Sequence, residues 1–366
     1  MVTQHANGDG HDRARFVAMF ASIQREISQH LIGLERVVKL SLAAFAAGGH
    51  VLLESPPGLG KTTLCKSLGQ ALGLTFKRVQ FTPDLMPFDI IGSEKPSGEV
   101  DGMRLRFVPG PIFTTILLAD EVNRAPPKTQ AALLEAMAER QVTIPGSGQR
   151  ERLSPLFFVI ATQNPVEMEG TYELPEAQLD RFMMKLTIHV PPQDVLVEML
   201  SRHATSLRAA EVRPISREVI DAPAGDTTAL ERELARMRQA ALGHMGSFPF
   251  AERVARIVRL TNLRLLSEVE PRKDNSFPDI DLDLQRRIWH QIGEGASPRA
   301  ALDLMRACQA LAALEDRATS DWQHVRQLAF PVLGHRLRFT FEGAGLRSGS
   351  ACQALLEAIC DAVAGS

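Results

Sequence analysis

The run Ser55-Pro56-Pro57-Gly58-Leu59-Gly60-Lys61-Thr62 carries the residue types that hold a chain of phosphates. Glycines let successive backbone N–H groups converge on an anion, and a helix starting just after them adds the positive end of its dipole. In the pattern G-x-x-x-x-G-K-[ST] the lysine neutralises the β- and γ-phosphates and the hydroxyl ligates Mg²⁺. Lys61 and Thr62 hold those positions, with Pro57, Gly58, Leu59, Gly60 and Thr63 completing the cradle. The first glycine of the pattern is replaced by Ser55, a small residue that the turn should tolerate at some cost in phosphate affinity. The bland alternative is a Gly/Pro turn joining a strand to a helix.

A second constellation bears on that choice. Ile116-Leu117-Leu118-Ala119-Asp120-Glu121 is an apolar run ending in two carboxylates. An acid at the carboxyl end of a parallel strand points into the crevice where ligands bind. Asp120 is placed to hold Mg²⁺, and Glu121 to polarise an attacking water. Alone, an Asp-Glu pair at a strand end is usually a solvated loop acid; beside a phosphate loop it reads as chemistry.

These groups need a scaffold, and the chain can supply one. Its 366 residues suit two domains, and 45% apolar residues can fill sizeable cores. The formal net charge is −2, from 41 basic and 43 acidic residues, which gives no global electrostatic signature for nucleic acid or an anionic membrane. Cys65, Cys308, Cys352 and Cys360 are scattered without metal-ligand spacing, which favours bystander thiols in a reducing cytosol. Residues 1–14 are polar and are expected to be a disordered N-terminus without signal-peptide character. The weakly charged run 40–53 falls short of the ~20 residues a membrane span needs, so a cytoplasmic protein is expected.

Residues 16–47 show helical periodicity and end at Gly48-Gly49. Short apolar runs at 50–54, 76–81, 115–120, 156–162 and 184–190 alternate mostly with helical stretches, the pattern of a parallel sheet covered on both faces. After Pro191-Pro192 only helical spacing recurs, around 195–208, 228–242, 251–266 and 298–315. The expected organisation is therefore an α/β domain over 15–192, a smaller helical domain over 193–341 and a tail over 342–366. Residues 268–283 read as a polar loop.

Several long stretches resemble one family, the MoxR-type AAA+ ATPases. They are HVLLE (50–54), QFTPDLMP (80–87), GPIF (110–113), LLADEVNRAPPKTQAALLEAMAERQVT (117–143), ATQNPVEMEGTYELPEAQLDRF (161–182) and GASPRA (295–300). The resemblance covers about residues 31–338. It implies a P-loop fold with a five-stranded parallel sheet flanked by helices, followed by an all-helical lid, and ATP with Mg²⁺ as ligands. It further implies a ring, a hexamer, in which ATP sits between domain and lid and at a subunit boundary. A chaperone-like remodeller of a protein client follows, acting with a partner that carries a von Willebrand factor A domain.

The resemblance also assigns residues. Asn164 resembles the first sensor, an amide orienting water near the γ-phosphate, and Arg181 the arginine finger offered to a neighbouring subunit. By themselves these are a turn residue and a surface arginine. Arg299 resembles the second sensor and has a local argument: Ser297 is a good N-cap and Pro298 suits the first helical position, so its cation opposes the dipole unless a phosphate balances it. Ile32-Gly33 resembles the adenine-pocket stretch, although Leu34 stands where the family has a polar residue. Gly60, where the family often has Ala, returns the loop to the general AAA+ form. Segments 93–108 and 141–155 read as hairpins, which in the family face the pore and by themselves are plain surface hairpins.

Two other functions stay open. A nucleic-acid motor would need basic hairpins, and Lys95, Arg104, Arg106, Arg150 and Arg152 are thin support; nucleic acid is therefore not the expected partner. A nucleotide-binding scaffold with little hydrolysis would fit Ser55 but not the intact Asp120–Glu121 pair. The tail lies beyond the resemblance. Cys352, Leu355, Leu356, Ile359, Cys360 and Val363 form one apolar face of a helix at 349–363, with Ser350 as N-cap. So short a helix must bury that face, on the lid of its own chain or on a partner.

Overall fold

In a computed structural model of the protein, residues 3–97, 104–164, 171–205, 212–220, 223, 226–242, 248–266, 270–271, 277–347 and 349–365 are described. The chain divides into two compact units, one of residues 1–181 and 186–241, the other of 182–185 and 242–366.

The first unit is an α/β layer structure. In chain order it comprises α1 (Thr3–His30), α2 (Glu35–Ala47), β1 (Val51–Glu54), α3 (Lys61–Ala71), β2 (Phe76–Gln80) and α4 (Pro87–Ile91). There follow β3 (Gly92–Ser97), β4 (Arg104–Pro109), β5 (Ile116–Asp120), α5 (Pro127–Glu139), β6 (Gln141–Thr143) and β7 (Arg150–Arg152). The series continues through β8 (Phe158–Gln163), α6 (Glu176–Leu179), β9 (Met184–Thr187, whose first two residues group with the second unit), α7 (Gln193–Thr205), α8 (Ile215–Val219) and α9 (Thr227–Leu242). The main sheet has five strands in the order β2-β5-β8-β1-β9. The pairs β2–β5, β5–β8 and β1–β8 are parallel. β5 is buried at every position, as a strand covered on both faces must be. All five strands expected from the apolar runs are present.

Both expected hairpins form. β3 pairs antiparallel with β4, and β6 with β7. The tip of the first, residues 98–103, lies outside the described residues. Gly92 and Gly110 brace its base: a Cβ on Gly92 would lie 2.2 Å from the Val108 carbonyl oxygen, so neither strand end has room for a side chain.

Two boundaries differ from the sequence expectation. Helix α1 begins at Thr3, within the segment expected to be disordered through residue 14. Phe16, Met19, Phe20, Ile23 and Ile27 are buried along it, and Asp12, itself buried, pairs with Arg236 of α9. The helix propagates N-terminally from that packed part, at little cost per added residue. The α/β unit also runs on past residue 192 to include α8 and α9. The Arg213 guanidinium pairs with Glu26 of α1 at 2.9 Å, Arg217 donates to the Gly73 carbonyl at 3.2 Å, and Glu231 accepts from the Thr115 hydroxyl. Helical spacing identifies α9 as a helix and gives no reading of α8; their partners decide which unit they join.

The second unit comprises α10 (Phe248–Thr261), α11 (Leu263–Leu266), α12 (Leu282–Gln291), β10 (Ile292–Glu294), α13 (Pro298–Leu314), α14 (Trp322–Leu333), β11 (Arg338–Phe339) and α15 (Gly349–Ala364). Among its described residues from 248 on, it is helical apart from the short antiparallel pair β10–β11. Parts of the expected polar loop at 268–283 lie outside the described residues; at its described end Phe277 and Ile280 are buried and Asp281 caps α12. The tail helix α15 buries the six residues of its expected apolar face, against α14 and α10 of its own chain. Among the described residues no helix is long and apolar enough to cross a membrane.

Candidate functional site

The parallel register gathers the chemical residues at one end of the sheet. Leu53 lies opposite Thr162, Glu54 opposite Gln163, and Ala119 opposite Ala161. The residues that follow, Ser55 after β1, Asp120–Glu121 at the end of β5 and Asn164 after β8, therefore share the carboxyl ends of three adjacent strands. Ligands of open α/β sheets bind at that end.

The phosphate loop has the backbone its sequence requires. Gly58 and Gly60 have φ of 81° and 79°, left-handed values that glycine adopts without Cβ strain. Gly60 caps α3 directly, so Lys61 opens the helix. A Cβ on Gly58 would meet nothing within 4 Å, so the cradle is open on that side. Lys61 is half-buried and its Nζ donates to the Ser55 carbonyl at 3.2 Å, while Thr62 and Thr63 are exposed at the helix start. Ser55 is fully buried, and its hydroxyl donates to the Pro56 carbonyl at 2.8 Å. Its amide donates to Gln163 at 3.2 Å, extending the β1–β8 ladder by one bond. The substituted position thus serves the strand.

The two acids are held by residues that the sequence alone does not point to. Thr162, completely buried on β8, donates to Asp120 Oδ1 at 2.6 Å and accepts from the Glu121 amide at 2.8 Å. That one hydroxyl supports Glu121 in the left-handed region, φ 56°, a conformation that costs a non-glycine residue on the order of 1 kcal/mol or more. Arg78 of β2 reaches Asp120 Oδ2 through Nη2 at 2.6 Å and Nε at 3.1 Å. Gln80 of β2 and Arg124 both donate to Glu121 Oε2, at 2.7 and 3.0 Å. The signal in the sequence is faint: Arg78 and Gln80 flank the buried Val79 with the period of two that puts both on one face of a strand. Cys65 of α3 is buried, and that burial, with the Asp120 charge second, pushes its thiol well above the usual range. It is a packing residue, as expected for a buried thiol.

The remaining candidates are placed as follows. A Cβ on Gly60 would lie 3.6 Å from Leu34 Cδ1 and 3.8 Å from Leu31 Cδ2, so the Ile32-Gly33 turn flanks the phosphate loop. Leu34, where a polar residue is usual, is buried there. Asn164 is buried directly after β8, and the next residues of its motif, 165–170, lie outside the described residues. Arg181 donates to the Leu134 carbonyl of α5 at 2.8 Å. Arg299 belongs to the second unit, exposed on the first turn of α13, whose N-cap Ser297 accepts from Ala300 N at 3.3 Å. Both local features expected of that turn, the serine cap and Pro298 at its start, are present.

These residues suit a nucleotide and a hard divalent cation. The loop offers glycine-shaped backbone, an open side, one lysine and an exposed hydroxyl, and Asp120 faces the same strand ends. No group of three or more His, Cys, Asp or Glu able to hold a metal occurs among the described residues. One carboxylate and one hydroxyl are what Mg²⁺ takes from a protein when phosphates and water complete its shell.

Comparison with known proteins agrees with this geometry. The family described as "ATPase family associated with various cellular activities (AAA)" matches residues 50–184, and the AAA lid domain family matches 285–355. A protein of Bacillus subtilis, YeaC, described as uncharacterized, is 38% identical over 311 residues, covering 85% of this chain and 84% of its own. The chaperone MoxR1 of Mycobacterium tuberculosis is 35% identical over 319 residues, 87% of this chain and 75% of its own. The protein MoxR of Paracoccus denitrificans is 32% identical over 330 residues, 87% of this chain and 88% of its own. A crystal structure of a provisionally assigned ATPase from Cytophaga hutchinsonii superposes with a TM-score of 0.79 at 30% identity, covering 97% of both chains.

Proposed function

Because the chain belongs to the MoxR-type AAA+ ATPase family, we propose that it binds ATP with Mg²⁺ at the strand ends described above and hydrolyses it. The observation that carries this reading is the single hydroxyl of Thr162 bound both to Asp120 and to the Glu121 amide, beside a loop shaped for phosphate. It supports different tasks for the two adjacent acids. Buried Asp120 would share a cation with Thr62, and half-buried Glu121, in left-handed backbone, would accept a proton from water.

In this reading the loop amides and Lys61 hold the β- and γ-phosphates. When bound, Mg²⁺ supplies charge neutralisation between those phosphates. Arg78 must yield part of its hold on Asp120 Oδ2 to admit a cation, and Gln80 and Arg124 keep Glu121 from swinging onto it. Asn164 orients the attacking water, and Arg299 senses the γ-phosphate from the lid. The protein positions groups and stabilises charge; it forms no covalent bond to the substrate.

Arg181 acts in trans, on the nucleotide of the next subunit, so the working form is a ring of copies, most simply a hexamer. The ring acts on a protein client in the cytoplasm, together with a partner carrying a von Willebrand factor A domain. Family resemblance supports this part, as does the chaperone description of the Mycobacterium relative.

The test uses two substitutions side by side. Glu121→Gln should retain ATP affinity and lose turnover by about 10²-fold or more, the contribution of a positioned base. Lys61→Ala should weaken nucleotide binding itself. A Glu121→Gln protein hydrolysing at the parental rate would sink the assignment.

A further inference from the structure

The residue after Arg181 is held unusually firmly. The Phe182 ring is completely buried. Its carbonyl oxygen accepts two hydrogen bonds, from Arg336 Nη2 at 3.0 Å and from His335 Nε2 at 3.0 Å. A carbonyl only accepts, so His335 Nε2 carries the proton. Burial first, and the neighbouring Arg336 charge second, push His335 down to about 3, so the ring is neutral at ordinary pH. Arg336 is itself anchored: the same Nη2 donates to Asp303 Oδ2 of α13 at 2.6 Å, and the two side chains are 2% and 11% exposed.

Asp303, His335, Arg336 and Phe182 all belong to the second unit. The peptide bond from Arg181 to Phe182 is where the chain passes into it. A buried guanidinium–carboxylate pair is a poor way to add stability, since desolvating two charges consumes most of the Coulombic gain. What this pair does supply is a fixed direction, because one nitrogen, Nη2, bonds both the Asp303 carboxylate and the Phe182 carbonyl and its two hydrogens set the angle between them. Here that direction is given to one backbone carbonyl, immediately beside the arginine that reaches for the neighbouring nucleotide. Arg299 lies four residues before Asp303 on the same helix, on the same side of it.

We propose that the Asp303–Arg336 pair is a clamp on the Phe182 carbonyl that sets how Arg181 is presented to the neighbouring subunit's nucleotide. Asp303 and Arg336 are positioning residues that act through Arg181. The proposal rests on the reading of Arg181 as a finger in trans.

The double variant Arg336→Met/Asp303→Leu tests this, because removing both charges leaves no buried ion unpaired and is often neutral for stability. It should keep its melting temperature, bind nucleotide within about twofold of the parent and lose turnover tenfold or more; misplacement by ~1 Å is enough for such a loss. It is then mixed with Lys61→Ala chains, beside a control mixture of Arg181→Ala with Lys61→Ala. Each mixture creates interfaces at which an intact phosphate loop meets an intact finger. Recovery in both mixtures, from nearly inactive parents, is the expected result. Recovery in the control alone would show that the pair serves its own site, and would overturn the clamp; so would parental turnover in the double variant. A control that fails to recover would refute the trans finger itself, and the clamp with it. If the double variant melts early, Asp303→Asn, which keeps an acceptor for the guanidinium, carries the same comparison.

Discussion

The two units place their buried polar groups differently. In the first, three of them, Asp120, Thr162 and Asn164, stand together at the ends of neighbouring strands, where the Thr162 hydroxyl bonds both Asp120 and the Glu121 amide; others, such as Asp12 and Glu26, pair with arginines. In the second, the cores of α13, α14 and α15 are mostly Ala, Val, Leu, Ile and Cys, and one buried ion pair among the described residues, Arg336 with Asp303, serves a single carbonyl. A sheet of parallel strands delivers residues far apart in sequence to one edge. A helical bundle delivers stripes to one another. The candidate loop, acids and amide therefore collect at the strand ends of the first unit, while Arg299 stands on the first turn of a well-packed helix of the second.

That contrast predicts different failures. The largest effect should come from the second unit's packing. Ending the chain after Gly345 removes the whole buried face of α15, six residues that cover α14 and α10. Since truncating a single buried Leu costs about 2–5 kcal/mol, the melting temperature should fall sharply. An unchanged melting temperature, with loss of a binding partner instead, would show that the face serves an intermolecular contact.

A smaller effect, chemical rather than structural, is expected from Thr162→Val. The substitution keeps shape but removes the hydroxyl that orders Asp120 and Glu121. Turnover should drop about 10²-fold through misplacement of the acid pair, with a loss of stability of only about 1–3 kcal/mol from the unpaired groups. Comparing ATPase rate with denaturant midpoint distinguishes this from α15 truncation, where stability should fall first.

The smallest is a pH dependence localised to His335. Above the ordinary histidine value of 6.5 its ring is neutral in both folded and unfolded chains and contributes nothing to pH dependence. Between 6.5 and about 3 the unfolded chain takes up a proton that the buried ring refuses. Stability should therefore fall as pH falls through that window, by up to about 1.4 kcal/mol per pH unit. His335→Gln keeps a donor for Phe182 and should flatten the slope between pH 7.5 and 5.5 in chemical denaturation. A variant with the parental slope would place the titration elsewhere.

Where the candidate site depends on short runs of consecutive residues, its local backbone is legible in the sequence. Ser55–Thr62 states its turn, its glycines and its cation within eight positions, and the positive φ of Gly58 and Gly60 is the conformation that those glycines exist to permit. The apolar runs fix five strands, and the spacing from Cys352 to Val363 marks the six residues that α15 buries. These are local statements, since periodicity and turn chemistry act over one or two turns of chain.

What the tertiary structure alone decided is everything that depends on a partner distant in sequence. Thr162 is one polar residue in an apolar strand until the β1–β8–β5 register sets it beside Asp120, 42 positions away. Arg78 and Gln80 look like the solvated face of an edge strand until β2 pairs with β5 and aims them at the two acids. Helices α8 and α9 carry no mark of the unit they join; Glu26, Gly73 and Thr115 supply it. Helix spacing says that a face will be buried, and only the fold says against what, because hydrophobic burial is non-directional while a hydrogen bond has a named partner at a fixed distance.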